Sequence, residues 1–426
     1  MKILMFGWEF PPHITGGLGT ACYGITKALA KTGNEIVFIV PKSYGDEPED
    51  YTRILSASEI DIDLSQEYIR QYWENISYIE VNSKLVPYLG LDDYYNVINQ
   101  GSNKREIGFN YSSKRYEFSG KYGSTLFDEV EKYALVAGSI ANNTEFDIIH
   151  AHDWLTYKAG VVAKAFSGKK LVIHVHATEF DRSGENINQA VYDIERYGMD
   201  NADHIIAVSD YTRNIVINRY GQSPDKVTTI HNGADSFESV NIEREKNFNE
   251  KIVTFLGRIT FQKGPDYFIE AADKVLKVDK NVRFVMAGSG DMLNRMIALV
   301  AKKRISKHFH FTGFLKGQDV NRMFSLSDVY VMPSVSEPFG ISPLEAMSSN
   351  IPVVISKQSG VSEVLKYAIK VDFWDTDSMA DAIYGLLNYP SLSKMFIKNG
   401  KQEVESIKWD DNAISLNRVY NNLIRY

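Results

Sequence analysis

Two rounds of one alternation, short apolar runs separated by stretches of helical spacing, constrain the fold of this chain more than any other feature. Lys2–Trp8 is an apolar run, and a Pro- and Gly-rich loop follows over residues 11–19. Thr20–Lys31 places Ile25 and Leu29 at helical spacing and stops before Gly33; Glu35–Val40 is apolar again. Strand, glycine loop, helix, strand is the order of a parallel pair joined by a right-handed crossover. The rhythm runs on through Asp147–His150, Leu171–Val175, His204–Val208 and Val227–Ile230, then breaks at the charged stretch Glu238–Glu250, a plausible linker. It restarts at Ile252–Leu256 and continues with Val282–Ala287, Phe309–Thr312, Val329–Met332 and Val353–Ser356. The predicted fold class is α/β, with two doubly wound, Rossmann-like domains over residues 1–240 and 241–408. An amphipathic helix follows in 409–426. Ligands of such sheets sit at the carboxyl ends of the strands, so two of them facing each other would form a cleft.

Composition narrows the function. The 426 residues carry 47 Lys+Arg against 54 Asp+Glu, net −7, which offers no general surface for a nucleic acid. Cys22 is the single cysteine, so no internal disulfide forms, in keeping with a reducing cytoplasm. No apolar run reaches the roughly 18 residues of a membrane helix. Glu9 interrupts the N-terminal run too early for a signal peptide, so that run reads as a buried strand. One segment departs from the alternation: residues 44–122 hold 11 of the 25 tyrosines. It reads as an insertion, either an antiparallel flap with its own small core or a surface whose Tyr and Trp73 stack on sugar rings.

The richest local pattern is Ser336-Glu337-Pro338-Phe339-Gly340-Ile341-Ser342-Pro343-Leu344-Glu345, just after the run Val329–Met332. Ser342 suits a helix N-cap, Pro343 the first helical position and Glu345 the third, so Glu345 can be a capping-box residue. A helix starting there aims free N–H groups at the end of a strand, and Gly340 lets backbone approach a ligand closely. Glu337 has no cap to satisfy and is expected to stand unpartnered. Arg258 and Lys263, on the loop after Ile252–Leu256, could face one anion together.

Glu337 and Glu345, with seven residues between them, resemble the E-x7-E signature of retaining GT-B glycosyltransferases, including the glycogen and starch synthases (families 4 and 5). Further pieces lie in the family's order along nearly the whole chain. Gly257-Arg258-Ile259-Thr260-Phe261-Gln262-Lys263-Gly264 resembles its G-R-x4-K-G loop. Gly16-Gly17-Leu18 resembles its N-terminal glycine loop, His150-Ala151-His152-Asp153-Trp154 its H-x-H-D-W run, and Asn232-Gly233 its N-G turn. The Trp409-Asp410 helix resembles one that crosses back to the first domain.

The resemblance implies a nucleotide diphosphate sugar as donor, an α-glucan as acceptor, and no cofactor. Arg258 and Lys263 would neutralise the diphosphate. Gly17 and Gly340 would lend backbone N–H groups to phosphate or sugar. Glu345 would accept the ribose hydroxyls, Glu337 would lie beside the transferred sugar, and Phe339, Gly340, Ile341 and Ser342 would read that sugar through the backbone. His176 would sit at the donor sugar, His174 is expected on the opposite strand face, and His152 and Asp153 would brace the cleft. Asn232 and the backbone near Phe314 complete the donor set. No metal site is predicted: Asp61-Ile62-Asp63 reads as solvated carboxylates, and Gly288-Ser289-Gly290 lacks the third glycine of a dinucleotide loop. The family's Lys-x-Gly-Gly-Leu has Ile14 at its lysine position here, which opens the donor to UDP-glucose as well as ADP-glucose. A small sugar, lipid or polysaccharide acceptor, and a non-catalytic carbohydrate binder, are the competing readings.

Overall fold

In a computed structural model, residues 1–13, 16–48, 50–61, 109–110, 115–234 and 249–425 are described. Ile14, Trp73, most of the tyrosine-rich segment and most of the charged linker lie outside these residues. The chain divides into two units. The first comprises Met1–Phe180, Glu185–Gly233 and Trp409–Tyr426; the second comprises Asp181–Gly184 and Ala234–Lys408.

The first unit is built on seven strands: β1 (Lys2–Phe6), β2 (Glu35–Val40), β3 (Arg53–Ser56), β6 (Ile148–His152), β7 (Lys170–Val175), β8 (His204–Ala207) and β9 (Val227–Thr229). A separate two-stranded antiparallel ribbon joins β4 (Phe109–Asn110) to β5 (Arg115–Tyr116). The main sheet has the order β3-β2-β1-β6-β7-β8-β9, with every neighbour parallel. Helices on both faces explain why its strands read as near-continuous apolar runs: Ile3, Leu4, Met5 and Phe6 are all fully buried. The second unit repeats the plan with β10 (Lys251–Leu256), β11 (Val282–Ala287), β12 (Phe309–Gly313), β13 (Val329–Met332), β14 (Val353–Ser356) and β15 (Ile369–Val371). Its parallel order is β12-β11-β10-β13-β14-β15. In each sheet the order reverses once, between β1 and β6 and between β10 and β13. That reversal is where a doubly wound sheet opens a crevice for ligands.

The helix Trp409–Ile424 belongs with the first unit and lies on the helix Gly17–Lys31. The contact requires Gly24: a Cβ there would sit 2.3 Å from Trp409 Cε2. Asn34 Nδ2 donates to Asn417 Oδ1 at 3.0 Å, and Ala413, Leu416 and Tyr420 are fully buried. The periodicity places most helices to within a few residues: Tyr192–Tyr197 lengthens to Gln189–Asn201, and Ser391–Ser406 becomes Pro390–Val404. The edge strands β3 and β15 were not predicted. At four and three residues they are too short to show a period.

Candidate donor site

The second sheet's reversal point is flanked by the loops after β10 and β13. The first begins at Gly257 and carries Arg258 and Lys263. Its path depends on glycines of a neighbouring loop: a Cβ on Gly288 would lie 1.8 Å from the Gly257 carbonyl oxygen, and one on Gly290 would lie 2.3 Å from that of Ile259. Ile259 N donates to Ser289 O at 2.8 Å, tying the two loops together. Gly288-Ser289-Gly290, which fits no dinucleotide motif, therefore serves as a close-approach seat for the Arg258 loop. At the far end of that loop, Gly264 (φ +61°) lets the chain pass against Pro333 O, which a Cβ would meet at 2.2 Å.

Across the reversal point, Lys263 Nζ donates to Glu337 Oε2 at 2.5 Å, and Ser334 Oγ donates to the same oxygen at 3.1 Å. Glu337 is thus paired rather than unpartnered. With its side chain only 7% exposed, a charged carboxylate needs such a partner to offset desolvation. Its backbone is pinned as well: Glu337 N donates to Gln358 O at 2.9 Å, and Gly360 N to Glu337 O at 2.9 Å. Gly340 (φ +99°) leaves room for the Glu337 stem, whose Cγ a Cβ would meet at 3.2 Å. Arg258 is half-buried, and its charge acts on Asp291, holding down a carboxyl that burial pushes up.

The capping box at Ser342 does not form. The helix Ser342–Ser348 takes Ile341 as its N-cap, with no side-chain cap bond. Ser342 Oγ instead shares a 2.8 Å hydrogen bond with Tyr330 OH, which also donates to Leu256 O at 3.3 Å. Tyr330, on β13, went unnoticed in the sequence. It links the end of β10 to the E-x7-E loop, and burial, with Glu337 and Glu345 adding to it, keeps its phenol protonated. Glu345, freed of a capping duty, is partly buried, and desolvation pushes its carboxyl up to about 7. Phe339 is buried, whereas Phe314 follows the edge strand β12, half-exposed, with Lys316 Nζ 5.5 Å above its ring.

At the first sheet's reversal point the chemistry is different. His150 and His152 lie at the end of β6, His174 at the end of β7 and His176 directly after it. Their rings stack at 4.3 Å along each strand and 5.3 Å between strands. His174 therefore shares the face of His176, because a strand's period of two returns residue i+2 to the same side. His152 Nδ1 and His176 Nε2 are 3.0 Å apart; His150 shares hydrogen bonds with His174 (3.3 Å) and with Tyr420 OH (2.5 Å). Burial drives His150 and His176 to about 3 and the other two well below their ordinary value, so all four rings are neutral near pH 7. Asp153, at φ +60°, accepts from His176 N at 2.7 Å and Ala177 N at 3.2 Å, holding the end of β7. Gly17 opens the helix Gly17–Lys31, and among the described residues no atom lies within 4 Å of where its Cβ would be. Packing does not account for that glycine. Asn232 is buried, with Oδ1 lacking a partner among the described residues.

Donor atoms that could hold a metal ion cluster in three places among the described residues: Cys22–His152–His176, His150–His152–His174, and the exposed His13–Asp46–Glu47. Asp61 is not among them; it pairs with Arg115 at 2.6 Å, and Asp63 lies outside the described residues.

Residues 2–230 match the family described as starch synthase catalytic domain, and residues 238–403 match glycosyl transferases group 1. An uncharacterized glycosyltransferase of Methanocaldococcus jannaschii is 29% identical over 99% of this chain and 98% of its own length. A glycogen synthase of Mycobacterium tuberculosis is 22% identical over 99% and 94%. A crystal structure from Anabaena in complex with UDP-glucose is similar in fold, with a TM-score of 0.66, 16% identity and coverage of 99% of this chain and 100% of that one.

Proposed function

Because the chain belongs to the starch synthase catalytic-domain family of GT-B glycosyltransferases, we propose that it is a retaining hexosyltransferase that moves glucose from ADP- or UDP-glucose to the non-reducing end of an α-glucan. The observation that carries this reading is the Lys263–Glu337 pair at the reversal point of the second sheet. A cation and a carboxylate held together there match the two charges of the transition state. As the bond from the anomeric carbon to the diphosphate breaks, negative charge grows on the leaving oxygens and positive charge on the sugar. Arg258 and Lys263 offset the first, and Glu337 favours the second. The acceptor hydroxyl attacks the same face, and its proton passes to the departing phosphate oxygen. Glu345, when ionised, accepts both ribose hydroxyls. Phe339, Gly340, Ile341, Ser342 and the backbone at Phe314 serve the donor in the second unit. The reaction needs no metal or cofactor in this scheme, and the enzyme works in the cytoplasm. Among the described residues no helix is long and apolar enough to cross a membrane.

The test is a donor panel (ADP-glucose, UDP-glucose, GDP-mannose, UDP-GlcNAc) with glycogen as acceptor, reading nucleotide release and the anomeric form of the new linkage. Elongation with retained configuration is expected, and Arg258→Ala and Glu337→Ala should each lower it by orders of magnitude. Near-native rates in either variant would remove the site assignment. A second reading keeps the transferase activity and takes a small sugar, lipid or polysaccharide as acceptor. Turnover that ignores glycogen but responds to such acceptors selects it. Sugar binding with no nucleotide release from any donor selects a carbohydrate-binding protein instead.

A further inference from the structure

We infer that Asp181 is a positioning residue for Glu337: its buried carboxylate holds Ser336 and, through it, the loop that carries Glu337. Its effect on rate rests on the transferase reading; its effect on the loop does not. Asp181–Gly184 is part of the second unit, whereas its sequence neighbours Phe180 and Glu185 are part of the first. These four residues meet both loops at the second sheet's reversal point. Ser336 Oγ donates to Asp181 Oδ1 at 2.5 Å, the length of a charge-assisted hydroxyl–carboxylate bond. A Cβ on Gly184 would lie 3.6 Å from Phe261 Cε1, in van der Waals contact. Phe261 stands between Arg258 and Lys263, and Ser336 immediately precedes Glu337.

Asp181 is only 1% exposed, and burying a carboxylate is costly. An apolar pair of similar volume would fill the same space at no such cost. What the carboxylate adds is direction, because its bond fixes the torsion of the Ser336 side chain and so the backbone just before Glu337. That backbone is also held by the other loop: Val335 N and Ser336 N donate to Gln262 O at 2.9 and 3.4 Å. Gln262 immediately precedes Lys263, so this one carbonyl sets the register of Lys263 against Glu337. The Glu337 carboxylate has its own partners, Lys263 and Ser334. Asp181 therefore acts on where that carboxylate stands, by way of Ser336. Such placement matters for a group aimed at charge in a transition state, where a shift of about 1 Å can cost a hundredfold in rate.

The test compares full-length Asp181→Ala, Asp181→Asn and Ser336→Ala with the parent. One readout is nucleotide release from whichever donor the parent turns over; the other is hydrogen exchange of peptides spanning residues 333–340. Asp181→Ala should lower kcat by roughly 10- to 100-fold while the donor KM moves less than about threefold. Asp181→Asn keeps an oxygen that accepts from Ser336 and should stay within about fivefold of the parent kcat. Ser336→Ala should match Asp181→Ala, and the double variant should be no slower than either. Exchange should quicken by about tenfold or more in Asp181→Ala but not in Asp181→Asn. Should Asp181→Ala fail to fold, Ser336→Ala, which removes a single oxygen, carries both readouts. A kcat near that of the parent, a loss confined to KM, or no rescue by Asp181→Asn overturns the positioning role. Unchanged exchange overturns the hold on the loop. Should the parent release nucleotide from no donor, the transferase reading fails by itself, and exchange still decides whether Asp181 holds the loop.

Discussion

The two reversal points share a topology and oppose each other in charge. At β1/β6 the strand ends carry four stacked imidazoles that burial keeps neutral. At β10/β13 the loops carry Arg258 and the Lys263–Glu337 ion pair, with Glu345 beside Tyr330. A doubly wound sheet therefore dictates where ligands meet the backbone but not the electrostatics they meet, which each unit sets by its loop residues.

The sharpest way to break this contrast is at Lys263. Lys263→Ala leaves Glu337 buried and unpaired, which should cost about 3 kcal/mol of stability and lower transfer by orders of magnitude. Lys263→Met with Glu337→Leu should regain most of the stability and none of the activity. Urea denaturation beside rate measurements decides; if the single variant is as stable as the parent, the pair is not the anchor claimed for it.

The neutral side depends on cover from the helix Trp409–Ile424, whose Tyr420 bonds to His150. Gly24→Ala forces Trp409 away and should destabilise the protein by about 2 kcal/mol. It should also raise the pKa of His150 by admitting water, visible by NMR titration. An unchanged melting temperature would show that the helix contact contributes little.

A third test uses pH alone. In the folded first unit burial brings His150 and His176 down to about 3 and holds His152 and His174 well below their ordinary value, against 6.5 in an unfolded chain. Between those values the unfolded state holds more protons. Their stabilisation is therefore full above pH 6.5 and falls with acid by about 1.4 kcal/mol per pH unit for each ring. Glu345 has the opposite sign: its folded value, about 7 against 4.5, makes the folded second unit the tighter proton binder in that window. Its contribution is largest below pH 4.5 and is lost as pH rises through 7. Calorimetry at pH 7 and pH 5 should show the first unit's transition moving down in temperature relative to the second; transitions that move together reject the contrast.

The smallest effect concerns the donor. If Glu345 holds the ribose hydroxyls as proposed, it does so ionised, and nucleotide affinity should rise up to tenfold per pH unit below about 7. Glu345→Gln should flatten that profile while lowering affinity at pH 8. A parallel profile in both proteins would separate Glu345 from the nucleotide.

Much of this was legible in the residues. Parallel strands buried on both faces announce themselves as apolar runs, so both sheets could be predicted, and the Arg258, Lys263 and Glu337 loops follow from where those runs end. What escaped depends on partners distant in sequence. Ser342 looks like a cap until Tyr330, twelve residues earlier, claims its hydroxyl. Glu337 looks unpartnered until the fold brings up Lys263 from 74 positions away. Gly288 and Gly290 matter for backbone that packs on them from another loop, a contact with no local signature. His174 could have been placed from strand periodicity alone, which puts it beside His176.

The first unit is discontinuous in sequence, and that has a consequence for how the protein is made. A ribosome must deliver the whole second unit before Trp409–Ile424 emerges to cover Gly24 and meet His150. Until then the earlier segment exposes an apolar groove during synthesis, so the second unit is positioned to finish folding before the first. Expressing residues 1–233 by themselves should yield an aggregation-prone fragment that a separately supplied 409–426 peptide rescues.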